Sequence, residues 1–316
     1  MLAEQNEKRF TAALNCLCKN ISRRLLPLVP KLADSVQEIR LRLSRPLALV
    51  CPDNTYYLTQ NGGLSNTILN GAMLVVSKAD IVDTFNNICN YSVYNRQNEI
   101  VNGFVTMYGG HRAGLCGTAV YSNGGLQTVK NFSSINIRIA RQHYGAARDL
   151  LPLFESECRS RGLLIVGRAL SGKTTILRDL CRCIGGMFRV SLIDERQEIA
   201  AVYNGKPCLD VGLMTDVFSG YGKSDGIIRA VRCMSPDYIV TDELGADAKS
   251  IRQAVNSGSG LIMTAHADSI EEAYRNEGIR TVIDSGAIQH IALVQSHRIT
   301  AVKQLITAEA NAVCTI

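Results

Sequence analysis

The 316-residue sequence predicts an α/β protein in which a parallel sheet covered by helices follows a smaller α+β domain. From residue 145 onward, helical segments alternate with short, wholly apolar runs, which are typical of parallel strands buried on both faces. Before residue 141, short alternating segments are separated by Gly-Gly and Asn-Gly turns, which favours hairpins. We therefore expect domains at residues 1–144 and 145–316.

The first half contains the segments expected of an α+β domain. The segment EIRLRLSRPLALV from Glu38 alternates as a strand does, and YYLTQNGG from Tyr56 ends in a turn. The segment KADIVDTFNNICN from Lys78 has helical spacing, as do the first twenty residues. The longer segment GFVTMYGGHRAGLCGTAVYSNGGLQTV from Gly103 is typical of glycine-punctuated hairpins.

Composition excludes several classes of protein. The longest apolar runs, such as LLIV and AMLVV, are far shorter than the roughly 18 to 20 residues that span a bilayer. Glu4, Glu7 and Lys8 interrupt any signal-peptide core, so we expect a cytoplasmic protein without a transmembrane helix. The eleven cysteines are dispersed and lack paired zinc-ligand spacing, which favours reduced thiols. A net charge of +6 is too mild to select a partner.

The apolar runs of the second half are LLIV, FRVSLI, YIVT and LIMTA, and the first of them leads into a glycine-rich turn. Gly167, Gly172, Lys173 and Thr174 satisfy G-x-x-x-x-G-K-[ST] where a strand should end and a helix begin. In this motif backbone N–H groups cradle the β-phosphate of a nucleotide, the lysine reaches the β- and γ-phosphates, and the hydroxyl ligates Mg²⁺. A turn carrying a solvated lysine is the less favoured alternative. The predicted binding residues for ATP are Gly167, Arg168, Ala169, Leu170, Ser171, Gly172, Lys173, Thr174 and Thr175.

A second Gly-Lys-Ser occurs at residues 222–224. Val217 stands where the motif requires its first glycine, and no apolar strand precedes it. We predict a loop there.

Hydrolysis also needs a metal-holding acid and a group that positions water. The segment PDYIVTDELG supplies an apolar strand that ends in Asp242 and Glu243. We predict that Asp242 holds Mg²⁺ and that Glu243 polarises the attacking water. The alternative, a charged strand end that caps the following helix, is less favoured beside an upstream phosphate loop.

Two further strand ends carry polar groups that would face the same crevice. The segment VSLIDERQEIA brings Asp194, Glu195 and Arg196 to the end of a predicted strand, and LIMTAHADS brings Thr264 and His266. A lone histidine is more often a structural hydrogen-bonding residue. At a strand end beside a phosphate site, a role for His266 as a γ-phosphate sensor is equally favoured.

Five segments of the second half follow one another in an order that resembles the stage III sporulation protein AA family, a branch of the type II/IV secretion ATPases. In order they are VGRALSGKTT, LIDERQEIA, DVGLMTDVFSG, VRCMSPDYIVTDELG and TAHADS. The segments NEIVNGFVTMYGGHRAGLCGTAV and INIRIAR extend the resemblance into the first half. It implies a RecA-like P-loop NTPase domain preceded by the small α+β domain. By resemblance, Lys173 and Thr174 take the Walker A roles, and Asp242 and Glu243 take the Walker B roles. Glu195 becomes the Asp-box acid near the attacking water, and His266 the His-box residue.

The resemblance also implies an assembly. Family members resemble hexameric rings with nucleotide bound between two domains, so basic residues of the first domain should help to neutralise the phosphates. Arg138 and Arg141 of INIRIAR fit that role. Arg229 and Arg232 sit where related ATPases place arginines near a neighbouring site, although a solvated helix face is equally favoured. The zinc-binding tetracysteine of many secretion ATPases is absent, and KPCL replaces a polar pair before DVG.

Three functions remain open on the sequence. The leading one, which the resemblance implies, is an ATP-hydrolysing homo-hexameric motor that powers or assembles a membrane channel complex from the mother cell to the forespore, docked from the cytoplasm through membrane-protein partners. A nucleic-acid-dependent ATPase is the alternative, but the absence of Trp and the 6% aromatic content make nucleic acid an unexpected partner. The pair Asp242-Glu243 argues against a nucleotide-gated scaffold without turnover.

Overall fold

A computed structural model of the chain describes residues 2–122, 124–155, 160–245 and 248–305. The chain divides into two compact units. The first unit contains the residues up to Arg141 together with Tyr203–Cys208. The second unit contains Gln142–Val202 and the residues from Leu209 onward.

The first unit is built on one antiparallel sheet of seven strands in the order β4-β3-β2-β1-β7-β6-β5. The strands and helix predicted in this half are confirmed. The strands are β1 Glu38–Arg42, β2 Ala48–Val50, β3 Thr55–Leu58, β4 Leu64–Ser65, β5 Phe104–Thr106, β6 Arg112–Ser122 and β7 Gly125–Arg138. The helices are α1 Leu2–Asn15, α2 Lys19–Leu25, α3 Val29–Leu32, α4 Lys78–Ile88 and α5 Gln97–Val101.

Helices α1, α2 and α4 cover this sheet through one apolar core. Phe10, Leu14 and Ile21 are fully buried with Ile39 and Ile137 of the central strands. Helix α4 begins at a capping box, in which the Ser77 hydroxyl accepts from the Asp80 N–H at 3.1 Å and the Asp80 carboxylate accepts from the Ser77 N–H at 2.9 Å. The box satisfies two backbone donors that a helix start otherwise leaves unpaired.

A buried histidine joins α1 to the sheet. The His111 Nδ1 accepts from the Ala140 N–H at 3.0 Å, so its Nε2 carries the proton and donates to the Arg9 carbonyl at 2.8 Å. Burial lowers the pKa of His111 from its ordinary 6.5 to about 4. The imidazole is therefore neutral in the folded protein at pH 7.

The second unit is an α/β domain. Its strands are β8 Gly162–Gly167, β9 Val190–Asp194, β12 Thr215–Ser219, β13 Tyr238–Thr241, β14 Gly260–His266, β15 His290–Gln295 and β16 Arg298–Gln304. The chain between β9 and β12 forms a separate two-stranded sheet of β10 Val202–Tyr203 and β11 Lys206–Pro207, in which residues 203–207 belong to the first unit. The helices are α6 Pro152–Glu155, α7 Lys173–Ile184, α8 Lys223–Met234, α9 Ala248–Asn256, α10 Ile270–Arg275 and α11 Glu277–Asp284.

The large sheet has the order β12-β9-β13-β14-β8-β15-β16. Its first six strands are mutually parallel, and β16 runs antiparallel to β15. The four apolar runs predicted as strands are β8, β9, β13 and β14, and all of their residues except His266 at the end of β14 are buried. Parallel strands bring their carboxyl ends to one edge, so the loops after β8, β9, β13 and β14 share that edge.

Both faces of this sheet carry an apolar core, as the apolar runs predicted. Leu163 and Ile165 of β8 pack with α7 on one face. Leu164 and Val166 of the same strand pack with α8, α9 and α11 on the other. This alternation follows the two-residue period of a strand and confirms the α/β class.

The predicted loop at the second Gly-Lys-Ser is wrong, because α8 begins at Lys223. Gly222 precedes the first turn, and Asp225 places a negative charge near the helix N-terminus, where it is stabilising. The buried Ile227 and Ala230 continue the helical spacing that anchors α8 on the sheet. The stretch is therefore a helix start without a phosphate loop.

The cysteines described are free thiols. Within the described part of the chain, no group of three or more His, Cys, Asp or Glu side chains has the arrangement of a metal site. Among the helices of the same residues, none is both long and apolar enough to cross a bilayer.

The depressed pKa of His111 predicts an acid-sensitive first unit. An unfolded histidine protonates near pH 6.5, but the folded one stays neutral until about pH 4, so this contribution is complete above pH 6.5 and declines as pH falls. The contribution of His111 to the free energy of unfolding should fall by about 2 kcal/mol between pH 7.5 and pH 5 in the wild type. Denaturant unfolding of His111→Gln should show a smaller fall, and equal falls in the two proteins would contradict the assignment.

Candidate active site

The loop after β8 has the shape that its glycines permit. Strand β8 ends at the buried Gly167, and a Cβ there would lie 2.5 Å from the Val294 carbonyl oxygen. Gly172 has φ +102°, and a Cβ on it would lie 2.8 Å from Nδ1 of His297. A side chain is therefore excluded at both positions. Between them Arg168, Ala169 and Leu170 are exposed.

Lys173 is the first residue of α7, and its side chain returns beneath this loop. The ammonium donates to the carbonyls of Gly167 at 2.8 Å and Arg168 at 2.7 Å, and it lies 3.2 Å from Nδ1 of His266. Burial lowers the pKa of Lys173, and the charges of Asp242 and Glu243 oppose part of that change. The carbonyls of the loop thus accept hydrogen bonds that the Lys173 ammonium would otherwise donate to an anionic ligand.

Ser171 adds an unsatisfied polar atom to the loop. Its Oγ is buried and, among the residues described, has no hydrogen-bond partner. The Ser171 carbonyl accepts from the His297 N–H at 2.9 Å, which ties the loop to the turn between β15 and β16. A buried hydroxyl without a partner is destabilising, and a ligand oxygen at the loop would satisfy it.

The Asp242 carboxylate joins the end of β13 to helix α7 and strand β14. Its Oδ2 accepts from the Thr174 hydroxyl at 3.0 Å, and its Oδ1 accepts from the Thr264 hydroxyl at 2.7 Å. The Glu243 N–H donates to the Thr264 hydroxyl at 2.8 Å. The hydroxyl of Thr174 and the carboxylate of Asp242 are the hard oxygen donors that Mg²⁺ prefers, so the residues present fit this ion.

Glu243 follows Asp242 with a positive φ of 51° and lies at the centre of a charged group. Arg196 donates to its Oε1 at 3.0 Å and lies 2.9 Å from its Oε2. The His266 Nε2 lies 3.3 Å from Oε1 of Glu243, so the imidazole stands between this carboxylate and the Lys173 ammonium. The structure therefore brings together Lys173, Thr174, Asp242, Glu243 and His266, all of them predicted from the sequence.

The acidic residues after β9 divide into two environments. Asp194 is buried and accepts from the N–H groups of Glu198, Ile199 and Ala200 at 2.9 to 3.2 Å. Burial raises the pKa of Asp194, although these hydrogen bonds oppose the change. Through the same hydrogen bonds the carboxylate holds the backbone of the loop after β9. Glu195 instead pairs with Lys223 at 3.2 Å, a residue to which the sequence assigned no role.

The remaining predicted residues of segment 167–175 lie at the edge of the site. Arg168 pairs with Asp268 at 2.6 Å, and this contact raises the pKa of its guanidinium. Leu170 is 94% exposed with φ +62°. Thr175 lies half-buried in the first turn of α7.

The predicted arginines of the first half, Arg138 and Arg141, belong to the first unit. Arg138 lies 3.5 Å from Glu38 and is mostly exposed. Arg141 donates to the carbonyls of Ala33, Asp34 and Val36 just after α3. The roles of these two arginines in catalysis remain predictions.

On α8, Arg229 and Arg232 are exposed, and Arg229 lies 5.9 Å from the ring centroid of Tyr221.

Three contacts of the site are not evident from the sequence. In the sequence Arg196 is only a polar residue at a strand end, but in the structure it binds the Glu243 carboxylate. The turn at Ser296 and His297 reaches the phosphate loop because β15 and β16 form a hairpin beside β8, which no local pattern indicates. The Gly-Lys-Ser sequence draws attention to Lys223, but it predicts a loop, whereas this residue begins helix α8.

The comparisons with known proteins agree with this arrangement. The family model described as sporulation stage III, protein AA matches residues 7–309. The stage III sporulation protein AA of Bacillus subtilis (strain 168) is 33% identical over 261 residues, which are 80% of this chain and 80% of that protein.

Two solved structures resemble the chain. The pilus retraction motor PilT with bound ADP is 15% identical with a TM-score of 0.50, over 82% of this chain and 74% of that one. The ATPase DotB of Yersinia pseudotuberculosis is 15% identical with a TM-score of 0.51, over 88% of this chain and 76% of that one. At this identity the likeness shows the fold alone, and it confirms the expected RecA-like P-loop fold with a small preceding α+β domain.

The family match spans nearly the whole chain, and four residues from the matching motifs, Thr174, Asp242, Glu243 and His266, meet at one edge of the parallel sheet. The chain therefore belongs to the sporulation stage III protein AA family.

Proposed function

We propose that this chain hydrolyses ATP to ADP and phosphate at the edge of its parallel sheet, and that it acts as a motor of the secretion-ATPase type for a membrane-associated complex during sporulation. The observation that carries the proposal is the hydrogen bond of 3.0 Å from the Thr174 hydroxyl to Asp242. It joins the first turn after the phosphate loop to the acidic strand end. Nucleotide binding and hydrolysis require these two parts at one place.

Binding is proposed to occur at residues 167–175. The backbone N–H groups of the loop and the N-terminus of α7 would face the phosphates. Lys173 would exchange its two carbonyl acceptors for phosphate oxygens, and the Ser171 hydroxyl would gain the partner that it lacks. A buried ammonium with a lowered pKa gains stability when a negative charge approaches it.

The residues after β13 are proposed to carry the chemistry. Thr174 and Asp242 would hold Mg²⁺, whose charge offsets that of the phosphates. Thr264 keeps the Asp242 carboxylate oriented by donating to its other oxygen. Glu243 is the proposed acceptor for a hydrogen bond from the attacking water, and Glu195 is the proposed second acid. His266 contacts both Lys173 and Glu243 and is the proposed sensor of the γ-phosphate.

The motor role rests on the relatives and on the two-unit organisation. The Bacillus subtilis relative is named a sporulation protein, and PilT is described as a retraction motor. We propose a homo-hexamer in which domains 1–144 and 145–316 move relative to each other during turnover. Arg138 and Arg141 would then complete the site, and membrane proteins of the sporulation complex would be the docking partners on its cytoplasmic face.

Lys173→Ala should weaken ATP binding by about 100-fold, because it removes a charge-assisted contact to the phosphates. Titration calorimetry with ATP measures the affinity directly. Lys249→Ala, at an exposed position of α9, is the control and should bind as the wild type does. Unchanged affinity in Lys173→Ala would overturn the binding site.

Glu243→Gln should retain Mg-ATP but turn it over about 10² to 10⁴-fold more slowly, since only the acceptor for the water proton is lost. Steady-state phosphate release and ATP titration on the same preparation separate the two effects. Near-normal turnover would transfer the role to Glu195, and Glu195→Gln would then be the slow variant.

A site completed between subunits predicts that turnover per chain rises with protein concentration as rings close. Arg138→Ala should lower turnover without unfolding the protein, because the side chain is exposed. Arg141→Ala is the weaker probe, since it also removes the bonds to the carbonyls after α3.

A mixture of Arg138→Ala and Lys173→Ala chains should regain activity at interfaces that pair an intact loop with an intact arginine. An inactive mixture would place Arg138 outside the neighbouring site.

A further inference from the structure

The Glu243 carboxylate is held by a guanidinium through both of its oxygens. Arg196 lies 3.0 Å from Oε1 and 2.9 Å from Oε2, which is the paired geometry that makes Arg–carboxylate contacts strong. The Glu243 side chain is 29% exposed and that of Arg196 is 60% exposed. The arginine therefore reaches the carboxylate from a largely exposed position.

The fold places this pair beside the phosphate loop. Arg196 follows β9 and Glu243 follows β13, and these strands are adjacent and parallel, with Ile193 opposite Thr241. From Glu243 the contacts continue through His266 at 3.3 Å to Lys173 at 3.2 Å. One carboxylate and one imidazole thus separate the guanidinium from the ammonium that is proposed to bind the phosphates.

A γ-phosphate and Glu243 would compete for this guanidinium. Arginine binds phosphate in the same paired geometry as carboxylate, and the γ-phosphate of ATP adds negative charge that ADP does not have. A carboxylate that already accepts two N–H bonds from a cation is a poorer acceptor for the proton of water. The same contact that stabilises Glu243 without nucleotide therefore hinders its proposed role.

We propose that Arg196 is a phosphate-binding catalytic residue, which transfers from the Glu243 carboxylate to the γ-phosphate when ATP binds. The transfer stabilises negative charge on the phosphate and frees Glu243 to accept a hydrogen bond from the attacking water. This inference rests on the ATP hydrolysis proposed above and adds a residue from within the same chain.

The structure contains a matched control at the opposite ends of the same two strands. Arg189 precedes β9 and Asp237 precedes β13, and the guanidinium contacts the carboxylate at 3.2 and 3.0 Å. Their side chains are 61% and 31% exposed, close to the values of the Arg196–Glu243 pair. Arg189→Gln therefore removes an equivalent ion pair at the edge away from the phosphate loop.

The test measures the affinity of the full-length chain for ADP and for the non-hydrolysable imido analogue of ATP. Arg196→Gln should lose about 10- to 100-fold in affinity for the analogue and less than about twofold for ADP, because only the analogue carries the γ-phosphate. Turnover of ATP should fall by about 10² to 10³-fold. Arg189→Gln should change none of the three.

A second pair of variants tests the competition itself. Glu243→Gln removes the charge that retains Arg196, so the analogue should bind more tightly than to the wild type, and Arg196→Gln in that background should abolish the gain. Arg196→Lys keeps the charge without the paired geometry and should lie between the wild type and Arg196→Gln.

Several results would overturn the assignment. Equal losses for ADP and the analogue in Arg196→Gln would indicate a structural role, and faster turnover would mean that Arg196 only restrains Glu243. If the wild type binds both nucleotides and Arg196→Gln does not discriminate between them, this inference alone fails. If the wild type binds neither nucleotide, the proposed function fails.

Discussion

The site depends on one carboxylate, that of Asp242, which accepts a hydroxyl on each oxygen. Thr174 in the first turn of α7 donates to one oxygen, and Thr264 in β14 donates to the other. These contacts are possible because β13, β14 and β8 are parallel neighbours whose carboxyl ends meet at one edge. The Thr264 hydroxyl also accepts from the N–H of Glu243 and so helps to hold that residue at its positive φ.

The charged groups around this carboxylate satisfy one another in the absence of a ligand. Lys173 is held by two carbonyls of its own loop, and Glu243 is held by Arg196 and His266. Burial works against the charge on Lys173, and the nearby acidic residues support it. A nucleotide would therefore enter by exchange of existing contacts, and its affinity would be the difference between two sets of charge-assisted hydrogen bonds.

The parts of the fold that the sequence predicted are those in which a local pattern carries the information. The runs LLIV and YIVT are apolar at every position, and they became the fully buried strands β8 and β13. Strands β12 and β16 were not predicted, because they are partly exposed and lack such a run, and β15 was not predicted although it contains the apolar run IALV. The contact of His297 with the phosphate loop depends on a hairpin far along the chain, so no spacing in the sequence contains it. The pair of Arg196 and Glu243 likewise depends on strand order.

Residues 167–175 and the end of β13 are proposed to form one ATP-hydrolysing site. The most direct measurement is a structure of the full-length chain with Mg²⁺, ADP and a γ-phosphate mimic such as beryllium fluoride. We expect phosphate groups within loop 167–174, the Lys173 ammonium moved from the Gly167 and Arg168 carbonyls onto them, and the metal held by Thr174 and Asp242. Nucleotide bound elsewhere, with Lys173 still on those carbonyls, would contradict it.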